Sequence, residues 1–233
     1  MGKVDDHFTR LGRWLLAPRC LLCAEPGAEG RDLCRRCTEA LPWNRSACAR
    51  CGLPLPVPAA ACGACLVQPP PFAATTAAFV YAFPVDRLLP RLKFHADLAA
   101  GAVLADVMAS AFANADRPEV LVPVPLHRSR LRQRGYDQAL ELARPLARSL
   151  GLPLRTDLLR RIRATDAQSE LDARHRRVNL RGAFACALPR EMPKHVALFD
   201  DVMTTGATVS EAAAALGAAG VLRVDVWVLA RVA

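Results

Sequence analysis

"VALFDDVMTTGAT" occupies Val196 to Thr208, and the order of its residue types decides the fold. Val196 to Phe199 are four apolar residues with the length and composition of a buried strand. Asp200 and Asp201 follow at once, then a loop of threonines with Gly206 and Ala207. "TVSEAAAALGAAG" (Thr208 to Gly220) reads as a helix, and "VLRVDVWVLAR" (Val221 to Arg231) as a last strand. Strand, helix, strand at this spacing predicts a parallel α/β sheet.

The segments upstream agree. Ala77 to Phe83 is strand-like, and Pro84 to Ala115 carries one or two helices. "EVLVPVP" (Glu119 to Pro125) is a short buried strand. Tyr136 to Gly151 is a helix closed by glycine, with Leu142, Ala143, Leu146 and Leu150 on one apolar face. Arg174 to Arg181 reads as the end of a polar helix, and Cys186 in "GAFACAL" as a buried strand residue.

The opening stretch is then a strand-to-helix turn at the carboxyl edge of a parallel sheet, where ligands usually bind. Amides from Thr204 to Thr208, aimed into the turn and toward a helix N-terminus, suit phosphate. Thr204, Thr205 and Thr208 add hydroxyl donors, and Gly206 permits a backbone that larger residues resist. The carboxylates of Asp200 and Asp201 are acceptors for the vicinal hydroxyls of a ribose, or for a water shell on Mg2+. A sugar phosphate with a free diol satisfies both halves. A Walker B strand would need a G-x-x-x-x-G-K-S/T loop, and the sequence has none. A plain helix cap needs fewer of these residues.

Eight of the nine cysteines form four C-x-x-C pairs: Cys20 and Cys23, Cys34 and Cys37, Cys48 and Cys51, Cys62 and Cys65. The pairs recur every 14 residues. Two pairs complete a tetrahedral site of four thiolates, so eight ligands suit two structural Zn2+ ions rather than redox pairs. Sequential sites need shorter loop closures than sites joining the first pair with the third and the second with the fourth, but spacing leaves both open. A segment with so few large apolar side chains needs metal for stability. "VQPPPF" (Val67 to Phe72) reads as a stiff linker, which divides the chain into a cysteine module, 1–70, and an α/β domain, 71–233.

Net charge is +9, and 28 of the 31 basic residues are Arg. Residues 127–181 hold 14 Arg against 6 acids, so nearly all the excess lies there and suits phosphate or nucleic acid. Tyr136 is the only Tyr or Trp in that stretch. No apolar run approaches the roughly 20 residues of a membrane helix. Trp14 to Leu16 is too short for a signal peptide core, so the expectation is a cytoplasmic protein without membrane insertion.

V-A-L-F-D-D-V-M-T-T-G-A-T resembles the phosphoribosyl pyrophosphate (PRPP) signature of type I phosphoribosyltransferases. With four C-x-x-C pairs before it, the whole chain resembles the ComF family of competence-associated proteins. "VPVPLHRSRLRQRGYDQA" (Val122 to Ala139), "TDAQSELDARHRRVNLRGAF" (Thr165 to Phe184) and "LLPRLKFHAD" (Leu88 to Asp97) agree with that family's segments. The resemblance implies a double zinc ribbon before a type I phosphoribosyltransferase fold, a mostly parallel sheet flanked by helices. It implies a PRPP site built by Asp200, Asp201, Val202, Met203, Thr204, Thr205, Gly206, Ala207 and Thr208. The two aspartates would take the ribose diol and Thr204 to Thr208 the 5-phosphate, with Mg2+ held chiefly by the ligand's own oxygens. Pro125, Leu126, His127 and Arg128 would meet pyrophosphate, while Arg134, Gln168, Arg174 and Asn179 are candidate anion contacts. Three functions follow: a PRPP-binding factor that handles single-stranded DNA during natural transformation, an active phosphoribosyltransferase with an unidentified acceptor, or a zinc-ribbon adaptor docking a partner such as a helicase. The family favours the first.

Overall fold

The computed structural model describes residues 18–95, 97–164 and 180–233. Two one-turn helices, α1 (Arg35–Glu39) and α2 (Gly63–Val67), lie in the cysteine-rich segment. Then come β1 (Ala74–Val80), α3 (Val85–His95), α4 (Leu98–Phe112), β2 (Val120–Pro123), α5 (Arg128–Arg134) and α6 (Gln138–Leu150). A small antiparallel pair, β3 (Leu159–Arg161) and β4 (Phe184–Cys186), precedes β5 (His195–Met203), α7 (Ala207–Ala218) and β6 (Arg223–Arg231). The main sheet has the order β1-β6-β5-β2, and each neighbouring pair is parallel.

The central strands bury both faces, so they read as apolar runs rather than alternating ones. Ala197 and Phe199 of β5 and Trp227 and Leu229 of β6 face one apolar cluster, with Leu88, Leu92, Leu104, Met108, Leu142 and Leu146 from α3, α4 and α6. Val196, Leu198, Val226 and Val228 face the other, completed by Val209, Ala212, Ala213 and Leu216 of α7. Phe112 at the end of α4 stacks on Trp227 with ring centres 4.8 Å apart. The helix ends carry their expected signals. Asp97 caps α4 through the Ala100 amide at 3.0 Å, Asp137 caps α6 through Ala139 and Leu140, and Gly151 closes α6 in the left-handed region.

Several bounds differ from the sequence reading. The first strand covers Ala74–Val80 rather than Ala77 to Phe83. Its ladder to β6 ends where the Tyr81 amide meets the Arg231 carbonyl, and the chain turns outward so that Phe83 is exposed. β5 continues past Asp200 because Val202 and Met203 still pair with Ala230 and Arg231. Arg128–Arg134, for which the sequence reading named no element, is a helix capped by His127 and ended by Gly135 at φ +84°. Cys186 lies in a strand as expected, half-buried.

The cysteine-rich segment packs on β1. Trp43 meets Phe79 at 4.8 Å between ring centres, and the Asn44 amide donates to the Ala78 carbonyl. Arg50 Nη1 donates to the carbonyls of Phe72 and Ala73, while Thr75 Oγ1 donates to the Arg50 carbonyl at 2.7 Å.

Candidate functional site

Because the four strands are parallel, all their carboxyl ends share one edge. β5 delivers Asp200 and Asp201 there, and the chain turns through Thr204 and Thr205 to Gly206, the N-cap of α7. Gly206 has φ +76°, a backbone conformation that strains any larger residue, and a Cβ there would also push the flexible Met203 methyl aside, at 2.6 Å. Lacking a side chain, Gly206 leaves the first turn of α7 uncapped from the N-cap position, and Thr205 Oγ1 reaches only the Ala207 amide, at 3.4 Å. The loop after β2 is pinned alongside: the Val124 amide donates to the Phe199 carbonyl, and the Leu126 amide to Asp137 Oδ2 at 2.9 Å.

Three carboxylates gather at this edge. Burial first, then the charge of Asp201, push the Asp200 carboxyl up to about 8. Asp137 is also pushed up, chiefly by burial, with the Asp201 charge adding to it. Lys93, near the end of α3, answers them: its Nζ lies 2.8 Å from Asp201 Oδ2, with side chains 20% and 6% exposed. Arg161 of β3 stands where the field of Asp200 reaches it, its guanidinium 5.5 Å over the Phe184 ring. Lys93 and Asp137 lie in segments that carry the family resemblance but were given no role there, and Arg161 was not singled out from the sequence. Their signal is tertiary, because separate elements converge on one sheet edge.

Beside Lys93 opens a cleft of about 560 Å³ between α3 and α5, lined by Phe94, His95, Arg130, Gln133, Arg134 and Tyr136. Phe94 is 70% exposed. The Arg134 guanidinium lies 5.5 Å from its ring centre and also donates to Gln138 Oε1. Tyr136 is fixed by donating to the Leu92 carbonyl.

The other sequence candidates divide as follows. His127 caps α5: Nδ1 accepts from the Ser129 amide at 3.3 Å and pairs with Ser129 Oγ at 2.7 Å. Pro125 and Leu126 lead into that cap, and Arg128 is exposed on the first turn. Gln168, Arg174 and Asn179, and with them most of the helix read over 174–181, lie outside the described residues.

The eight paired cysteines form two clusters in sequential order, Cys20, Cys23, Cys34 and Cys37, then Cys48, Cys51, Cys62 and Cys65. Within each, the sulfurs all lie within 4.8 Å of one another. A tetrahedral Zn2+ with bonds of about 2.3 Å sets its sulfurs about 3.8 Å apart. Cys23 and Cys34 are 3.7 Å apart, Cys51 and Cys62 3.7 Å, and Cys48 and Cys65 4.0 Å, far beyond a disulfide bond and close to the zinc spacing. The Cys62 amide donates to Cys48 Sγ at 3.1 Å, as in a zinc knuckle. Burial opposes ionisation of Cys20, yet the amides of Cys34, Leu22 and Cys23 draw it down to about 6. Cys37 is pushed up by burial and by the thiols around it. Four thiolates crowded this way need a cation, and the donor set fits structural zinc.

One side chain joins the second cluster to the turn between β5 and α7. Arg231, at the end of β6 and buried, donates from Nε to the Cys51 carbonyl at 3.0 Å. Its Nη1 donates to the carbonyls of Met203 at 3.2 Å and Thr204 at 2.6 Å.

The double zinc ribbon domain is the family model that matches, over residues 11–66. The chain is 38% identical over 159 residues to Competence protein F of Haemophilus influenzae, covering 65% of this chain and 69% of that one. It is 37% identical over 170 residues to the DNA utilization protein YhgH of Salmonella typhi, and 36% to that of Escherichia coli K12, each over 70% of this chain and 74% of the relative. No helix among the described residues is long and apolar enough to cross a membrane. Two sequential thiolate clusters, a parallel sheet behind them and relatives of this similarity lead to one conclusion: the chain belongs to the ComF family.

Proposed function

We propose that this chain binds PRPP at the edge of its parallel sheet and serves in the handling of DNA, as the names of its relatives, Competence protein F and DNA utilization protein, suggest. The observation that carries the ligand assignment is the sequence of groups along one turn. Two carboxylates stand near the end of β5, and five residues after the second a left-handed glycine opens α7. Carboxylates there accept from a ribose diol. Amides at the helix start, with Thr204, Thr205 and Thr208, donate to a 5-phosphate. Pro125 to Arg128 then face the pyrophosphate. Mg2+ enters with the ligand, bound mainly to its oxygens and adding charge neutralisation there. The three acids are not gathered into a metal cluster among the described residues.

The cleft beside Lys93 supports the nucleic-acid part. An exposed aromatic ring backed by a guanidinium is a stacking platform for a base, and Arg130 and Arg134 supply cations for a strand's phosphates. Phe94 lies outside the basic stretch 127–181, and α3 brings it against that stretch. The same cleft favours a second reading. Its place beside Asp201 suits an acceptor base or amine, which would make the chain an active phosphoribosyltransferase. Pyrophosphate release from PRPP with a panel of bases and amines separates the two, since a binding factor releases none. The ligand assignment itself is tested by titration with PRPP and Mg2+. Saturable binding is expected, and D200N combined with D201N should abolish it. Unaltered affinity in that double variant would remove the site from this turn.

A further inference from the structure

We propose that Arg231 couples the second zinc cluster to the phosphate turn, so that metal in the cluster and ligand on the turn stabilise each other. The inference rests on the PRPP reading of the turn. One guanidinium donates at once to the carbonyl of a cluster cysteine, Cys51, and to the carbonyls of Met203 and Thr204, the residues that launch the turn. Its place is fixed from its own backbone: the Val232 amide donates to the Met203 carbonyl, and the Tyr81 amide to the Arg231 carbonyl. Between cluster and turn lies a cleft of about 390 Å³, with Cys51, Cys62 and Cys65 on one wall and Thr205, Gly206 and Ala207 on the other. Cys51 packs at the margin of the apolar cluster that holds Met203 and Ala207, and Arg231 adds the hydrogen-bonded bridge between cluster and turn.

The physics gives the bridge its direction. Cys51 sits in the knuckle Cys48 to Gly52, where Gly52 has φ +66° and its amide donates to the Cys48 carbonyl. Metal fixes that knuckle, since metal binding is coupled to the folding of its ligand loops. A fixed Cys51 carbonyl holds the guanidinium, and the guanidinium holds the carbonyls of Met203 and Thr204. Their peptide units must keep this orientation if the following amides are to point at phosphate. Without metal the knuckle loosens, the fork loses one acceptor, and the turn pays more conformational entropy on binding an anion. Coupling between two sites is reciprocal in binding free energy, so ligand on the turn must raise the metal affinity of the second cluster by the same factor, and slower metal loss is its expected kinetic expression. The first cluster, Cys20 to Cys37, has no such bridge among the described hydrogen bonds and serves as an internal reference.

The test is release of zinc from the full chain to a chromogenic chelator, with and without PRPP and Mg2+, beside a direct PRPP titration. The expected result is two release phases, one of which slows roughly tenfold when PRPP is bound, within the usual range for coupled sites. Clusters lacking Cys48 or Cys20 identify which phase is protected. R231A is expected to retain two zinc ions yet lose the protection and bind PRPP more weakly. R231K keeps the charge without the fork and should fall between, and protection lost from the second cluster's phase alone, with the first cluster's phase unchanged, separates a lost bridge from a general loss of stability. PRPP binding that leaves both phases unchanged overturns the coupling alone, as does protection that survives in R231A. Failure of wild-type protein to bind PRPP overturns the ligand assignment and the coupling with it. Slowing of both phases equally in wild type overturns it as well, because a bridge to one cluster cannot protect two.

Discussion

Replacing Lys93 by methionine removes the cation 2.8 Å from Asp201 and keeps most of the side chain's volume. At that distance and an effective dielectric of about 20, the attraction is about 6 kcal/mol. Desolvation of both groups offsets part of it, and breaking a buried pair by deleting one partner costs about 3–5 kcal/mol. Lys93 is 20% exposed, which places this pair near the lower end, about 3 kcal/mol. For a chain of this size each kcal/mol shifts the melting midpoint by about 2–4 °C, so K93M should melt about 6–12 °C lower in zinc-saturated buffer. The cost arises from a carboxylate left unpaired beside Asp200 and Asp137. D201N removes that carboxylate, so K93M combined with D201N should melt close to D201N alone. Thermal melts of the four proteins form a double-mutant cycle with an expected coupling of about 2 kcal/mol or more. A coupling within about 0.5 kcal/mol of zero would refute the ion pair as the neutraliser of this acidic edge.

Three further outcomes are expected. Metal analysis should find close to two zinc ions per chain, and C48S with C51S close to one, with the first cluster intact. For pH, the sign follows from Asp200: its folded-state carboxyl lies above the ordinary carboxylate value, so its stabilising contribution is complete below about pH 4 and is lost as pH rises through about 8. Melting midpoints of zinc-loaded wild type should therefore fall between about pH 5 and 8 more steeply than those of D200N, and parallel curves over that range would remove Asp200 as the cause. In fluorescence anisotropy with a short oligo-dT, F94A should weaken binding by about 1–3 kcal/mol, the worth of one stacked base. An unchanged affinity would place the strand elsewhere.

The sheet was legible because β5 and β6 are buried on both faces, and apolar runs leave no other role for Val196 to Phe199 or Val226 to Ala230. The thiolate clusters were legible from spacing, since a repeat of 14 residues brings C-x-x-C pairs to a common geometry whatever the residues between them. Which pairs share a site was not, because loop-closure entropy changes slowly with length and only the folded chain settles Cys20 with Cys37 and Cys48 with Cys65. The short pieces were missed for local reasons. β3 is three residues with two arginines, too brief for any period to register, and it exists by pairing with β4. α5 lacks a buried face, and its one visible sign was Gly135. At the site, Asp200 and Asp201 announced themselves, being acids at the end of an apolar run. Lys93, Asp137 and Arg231 did not. A lysine in an amphipathic helix, an aspartate at an N-cap and an arginine ending a strand are each ordinary in sequence. They acquire roles only when α3, α6 and β6 meet β5 at one edge.

The central claim is that the turn from β5 to α7 holds PRPP through two carboxylates and a phosphate-binding loop. Calorimetric titration of zinc-loaded protein with PRPP and Mg2+ tests it most directly, beside D200N combined with D201N. One saturable site per chain is expected in the wild type, with an affinity at least about 100-fold weaker in the variant, because two hydroxyls lose their carboxylate acceptors. Equal binding by both proteins, or none by the wild type, would contradict it.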